Sequence, residues 1–131
     1  MSVTETIEKN NEPVVERLSN VDNLTIEERI ELKCHQYGIE PYIPLAIARL
    51  ETGHFTSRAF LDGNNVGGLS INEMPMSFDS LDAGIEAFVQ NLAENYFAQG
   101  LNTVEEIGAK YCPVNEENWV EIVNQLLEEY K

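Results

Sequence analysis

Apolar residues recur at helical spacing along most of the chain, and glycines and capping residues divide them into blocks. Thr25-Ile26-Glu27-Glu28 has the spacing of a capping box, with Thr25 as N-cap and Glu28 reaching back. The helix it opens places Ile26, Ile30, Cys34 and Tyr37 on one side and ends at Gly38. Glu40-Pro41 opens a second helix, with proline in the tolerated first turn, that runs to Thr52 and stops at Gly53. A third helix, capped by Asp79 or Ser80, carries Leu81, Ile85, Phe88, Leu92 and Tyr96 and is ended by Gly100. A shorter helix spans about Thr103 to Lys110, introduced by Thr103 and Glu106. The last carries Trp119, Ile122, Val123, Leu126, Leu127 and Tyr130 as a broad apolar stripe.

Between Phe55 and Phe78 the helical repeat is broken by Gly63, Asn64, Asn65, Gly67, Gly68 and Pro75. Two stretches there, Gly68–Ile71 and Met76–Phe78, are suited to a hairpin. Residues 1–24 are polar and aperiodic, and read as a flexible tail with at most a short helix around Val14–Leu18. The expected fold is therefore mainly α: one helical domain over residues 25–131, with a small glycine-rich hairpin lobe.

Charge narrows the choice of partners. Eight basic and twenty-three acidic residues give a net charge of −15, spread along all 131 residues. A nucleic-acid backbone or an anionic membrane requires a basic footprint, so neither is expected as a partner. The acidity reads most simply as a source of solubility. No basic segment followed by an apolar stretch marks a signal peptide, and no apolar run is long enough to span a bilayer. Synthesis in the cytoplasm without an export address of its own is the expectation. Cys34 and Cys112 match no zinc spacing, and two readings stay open for them: two thiols, or one disulfide. His35 and His54 lack a third ligand at metal spacing, so neither a metal nor a cofactor is expected.

Glu51 carries the candidate chemistry. It closes the apolar run Leu45-Ala46-Ile47-Ala48-Arg49-Leu50, and the negative end of the helix dipole and its apolar neighbours both disfavour its charge. A carboxyl kept protonated in this way suits a general acid. The glycine- and asparagine-rich segment 62–69 brings backbone groups close enough to line a cleft, which glycine permits. Glycosidic cleavage needs such a proton donor and a means of stabilising an oxocarbenium-like transition state. Glu73, near the hairpin turn, is the first choice for a second carboxylate, ahead of Asp62 and Asp79. Met74, Met76 and Trp119 read as packing residues, and His54 as a surface residue.

The run Ala46 to Ser57, then Gly63-Asn64-Asn65-Val66-Gly67-Gly68-Leu69, resembles the glucosaminidase-type domains of the lysozyme-like superfamily found in bacteria and phages. Phe78 to Ile85, Tyr111-Cys112-Pro113 and Asn118-Trp119 continue the likeness in order, so that it covers about Pro44 to Tyr130. The resemblance implies cleavage of the glycan strands of peptidoglycan, with Glu51 as proton donor; nothing in the sequence suggests an obligate assembly, so a monomer is expected. Tyr111, Asn64, Asn65 and Gly68 would face the substrate, the asparagines chiefly by shaping the loop. It also implies action at the cell wall, as a phage-encoded or virion-associated product. Hydrolysis and lytic transglycosylation stay open. So do two other readings: a lysozyme-like domain without catalysis that binds walls or builds virions, and an acidic interaction protein.

Overall fold

The structure, a computed structural model, describes residues 23–131. The segment expected as a tail, with its helix around Val14–Leu18, lies outside the described residues except for Asn23 and Leu24.

Helix α1 (Ile26–Tyr37) begins at the expected capping box, with Glu28 N donating to Thr25 Oγ1 at 3.1 Å and Thr25 N to Glu28 Oε1 at 3.0 Å. Gly38 ends it in the left-handed region. Helix α2 (Tyr42–Glu51) is held at its start by Glu40, whose carboxylate accepts from the N–H groups of Tyr42 and Ile43, both at 3.0 Å. Five consecutive residues, Pro44 to Ala48, are buried in α2. A helix apolar on all sides belongs at the centre of a core, and α2 packs most extensively against the last helix.

Helix α3 (Arg58–Gly63) lies in the segment expected to be irregular. Six residues are too few for a periodic signal, but its ends are conventional. Ser57 Oγ accepts from Phe60 N at 3.2 Å, and Asn64, at φ 57°, closes it. The hairpin of β1 (Ser70–Ile71) and β2 (Met74–Pro75) also differs from the expected pairing. Ser70 pairs with Pro75 and Ile71 with Met74, so the second strand starts at Met74 rather than Met76. Asn72 and Glu73 both take positive φ (53° and 67°), as a tight two-residue hairpin turn demands. Met74, expected to pack, is 68% exposed at this tip.

Helix α4 (Leu81–Asn95) is capped by Ser80, which accepts from Ala83 N at 3.0 Å, and buries Ile85, Phe88, Val89 and Leu92. It stops before Gly100, and a 3-10 turn over Phe97–Gln99 fills the interval. Helix α5 (Val104–Tyr111) has the expected box between Thr103 and Glu106. After a 3-10 turn at Pro113–Asn115, α6 (Glu116–Tyr130) buries Trp119, Val123, Leu126 and Leu127 against α2 and α5. The result is a mainly helical, lysozyme-like domain with a small hairpin lobe. Cys34 is buried, Cys112 half-buried, and both are free thiols. Among the described residues no helix is long and apolar enough to cross a membrane.

The lobe is keyed to the helical body at Gly84. A Cβ built there would lie 1.9 Å from Asn64 O and 3.1 Å from its carbonyl carbon, both backbone atoms that cannot swing aside. Glycine-to-alanine changes inside helices ordinarily stabilise, by up to about 1 kcal/mol. Gly84→Ala is expected to do the reverse, losing about 1–3 kcal/mol to overpacking, read as a lower midpoint in urea unfolding.

Candidate active site

Glu51 is the last residue of α2, and the chain turns immediately behind it. Thr52 is fully buried; its hydroxyl donates to Ala48 O at 2.6 Å and accepts from Phe55 N at 2.8 Å. Gly53, His54 and Phe55 then take φ of 57°, 60° and 66° in succession. For the two non-glycine residues this region costs roughly 1–2 kcal/mol each, so the turn must be held from outside. His54 N donates to Arg49 O at 2.8 Å and Ser57 N to Thr52 O at 2.9 Å. The exposed His54 ring is met through Nδ1 by Arg49 Nε at 3.2 Å and Nη2 at 3.0 Å.

The carboxyl of Glu51 is half-buried between α6 and the lobe. Trp119 Nε1 donates to its Oε2 at 2.8 Å. The other oxygen faces Gly68, where a Cβ would come within 2.5 Å of Oε1 and where φ is +70°. Only glycine meets both conditions without strain. The lobe strand is held there by Tyr111, whose hydroxyl donates to Gly67 O at 2.6 Å. Its ring stacks on Trp119, with centroids 5.6 Å apart and planes 25° from parallel. Glu51, Trp119, Tyr111, Gly67 and Gly68 thus form a closed ring of contacts drawn from α2, α5, α6 and the lobe.

Burial pushes the Glu51 carboxyl above the usual carboxylate range, and the indole hydrogen bond draws it only part of the way back. The Tyr111 phenol is pushed well above its usual value, first by burial and then by the charge of Glu51. It therefore stays protonated and remains a donor to the lobe. A carboxyl of this kind holds its proton to higher pH than an ordinary carboxylate does and can release it to a basic oxygen.

Of the residues singled out in the sequence, the fold brings Glu51, Gly68 and Tyr111 together. Asn64 and Asn65 lie further into the lobe. Asn65 is 1% exposed; its amide nitrogen donates to Leu69 O at 2.8 Å and Met76 O at 2.9 Å, while its amide oxygen accepts from Leu69 N at 3.1 Å. With its polar atoms committed to the lobe backbone, Asn65 is a strut rather than part of a surface. Asn64 donates to Phe78 O at 2.9 Å. Glu73 stands exposed at the hairpin turn, and no hydrogen bond or ion pair among the described residues joins it to Glu51. Asp62 pairs with Arg58 at 3.1 Å, and Asp79 is exposed beside the true cap, Ser80. No group of three or more potential metal-ligating His, Cys, Asp or Glu side chains occurs among the described residues.

Trp119, expected from the sequence to be a packing residue, is also the side chain that reaches the Glu51 carboxyl. It is indeed buried, but a buried indole N–H needs an acceptor, and the apolar stripe of α6 provides none. That unmet donor was the available signal.

The family model for glucosaminidases, described as mannosyl-glycoprotein endo-beta-N-acetylglucosaminidase, matches residues 28–131. The chain belongs to the glucosaminidase family. The match begins within α1 and so takes in more of the helical body than the likeness read from Pro44 onward. No curated protein matches the chain. As a glucosaminidase-family domain it is of the glycoside hydrolase type, with a glycan as substrate.

The raised pKa of Glu51 has a consequence for stability. Because the folded state holds this proton more tightly than the unfolded one, its stabilising contribution is complete below the unfolded pKa. It is lost as pH rises through the folded value. Glu51→Gln removes the titration. The glutamine protein is expected to melt at higher temperature than wild type near and above neutrality, with the difference shrinking as pH falls into the ordinary carboxylate range. Thermal melts across that pH series measure it.

Proposed function

We propose that this glucosaminidase-family domain cleaves the glycan strands of peptidoglycan at the cell wall, with Glu51 as the general acid. The observation that carries this reading is the Glu51 carboxyl itself. It is half-buried at the junction of lobe and body, pushed towards its protonated form and, among the described residues, hydrogen-bonded through one oxygen. Protonation of the leaving glycosidic oxygen is the step such a group serves. Glu73, exposed at the hairpin tip, is the carboxylate we assign to activating water. A base acting on the opposite side of a sugar ring from the acid has to stand apart from it.

Loss of turbidity of purified cell walls tests the reading. Glu51→Gln should slow clearing by about 10²-fold or more, the lower bound for a general acid, while the protein stays folded. Equal clearing by both proteins, or none by wild type, would remove it. Mass spectrometry of the released fragments should show reducing-end N-acetylglucosamine; a reducing-end muramic acid would assign the other bond, and an anhydro-sugar would assign transglycosylation. Glu73→Gln is expected to slow release by at least about tenfold, a modest share of what acid–base catalysis supplies.

A further inference from the structure

We infer that Trp119 is a positioning residue which, with Gly68, commits Glu51 to donating its proton from Oε1. The inference rests on the reading of Glu51 as the acid and specifies how that acid is aimed. Indole is a donor only, so Oε2, 2.8 Å from Trp119 Nε1, must present a lone pair along that direction in either protonation state. The carbonyl oxygen of a protonated carboxyl is a better acceptor than its hydroxyl oxygen, so this donor favours Oε2 as the carbonyl and places the proton on Oε1. That oxygen lies beside Gly68, at a place where any side chain would come within 2.5 Å of it, and it meets no other donor among the described residues. In the reaction the Oε1–H proton passes to the glycosidic oxygen as the bond from that oxygen to the anomeric carbon breaks. The bonding electrons go to the leaving oxygen, and Glu51 is left as a carboxylate still tied to Trp119 through Oε2. Water completes the cleavage by adding to the anomeric carbon as its proton passes to Glu73, the carboxylate assigned to activating it; Glu73 then loses that proton to solvent and Glu51 regains one.

The indole is itself well fixed. Tyr111 stacks on it and is in turn bonded to Gly67 O, so the donor that orients Oε2 and the backbone that leaves Oε1 open are parts of one assembly. Among the described residues no other titratable side chain is hydrogen-bonded to the Glu51 carboxyl. Tyr111 remains a neutral phenol. Arg49, on α2, is turned to Glu129 at 2.8 Å and to His54. Glu116 and Glu117 lie in the first turn of α6, and Glu73 is exposed at the hairpin tip. The hydrogen bond from Trp119 also opposes the upward push of burial on the acid, so its removal has a signed effect.

Trp119 is the chain's one tryptophan, which gives a readout needing no substrate. In wild type the single indole N–H resonance in a proton–nitrogen correlation spectrum should titrate with a midpoint above roughly 4.3, the ordinary glutamate value. In Glu51→Gln that titration should vanish. An indole resonance that does not titrate, or that titrates identically in Glu51→Gln, overturns the inference. Trp119→Phe keeps the stacked ring and removes the donor. It should move the alkaline limb of the pH–rate profile to higher pH and lower kcat about tenfold while KM changes less than twofold. These sizes suit loss of one orienting hydrogen bond. An unmoved alkaline limb in folded Trp119→Phe also overturns it. If that variant does not fold, the wild-type and Glu51→Gln titrations decide. Should Glu51→Gln lose clearing while the indole fails to titrate, this inference falls and the proposed function stands. Should the indole titrate as expected while no wall is cleared, the contact between Trp119 and Glu51 stands, but the proposed function falls and takes with it the role assigned to that contact.

Discussion

Desolvation of a single carboxyl is the constraint to which the rest of this architecture answers. Glu51 ends the most buried helix of the domain, where it loses water without gaining a counter-charge. Its neutral form is therefore favoured, and the cost is limited by one hydrogen bond from Trp119. Had an arginine or lysine filled the same place, the carboxylate would be paired and its proton lost well below neutrality. The nearest cation on α2, Arg49, is instead drawn to Glu129 on α6 and to His54. It also lies over the Tyr130 ring at 5.5 Å. Arg49 thus secures the last turn of α2 against α6.

The lobe completes the site through its backbone. Gly67 and Gly68 let main chain lie where side chains would collide with Phe88, Tyr111 and Glu51. Asn65 ties this strand to the hairpin from inside, and Asn64 joins α3 to the start of α4. Buried amides with their hydrogen bonds satisfied make a rigid support. The exposed hairpin tip, with Ile71, Glu73 and Met74, is consequently carried on a fixed base rather than on a loose loop.

Behind the acid, the turn at Gly53, His54 and Phe55 reverses the chain within a few residues and returns it to α3. Left-handed backbone at two non-glycine residues is unfavourable in isolation. The Thr52 hydroxyl, the contacts of Arg49 with His54 and the packing of Phe55 on Phe60 at 5.5 Å offset that cost. The geometry confines strain to a segment where the helix must stop abruptly for Glu51 to be its last residue.

Local chemistry along the chain determined the long helices, both capping boxes, the glycine stop at Gly38 and the placement of Glu51 at a helix end. Caps and apolar stripes depend on residues three or four positions apart, so the sequence alone expresses them. The short α3 and the hairpin register escaped that reading. Six residues are too few to show a period, and the register depends on the positive φ of Asn72 and Glu73, neither of which is glycine. What only the tertiary structure decided is how the acid is solvated. Trp119 reaches Glu51 across 68 positions in the chain, and Gly68 meets it through a lobe whose path follows from packing against α4. A hydrogen bond between residues so far apart exists only once the helices have docked, since nothing in either segment by itself specifies the distance between them.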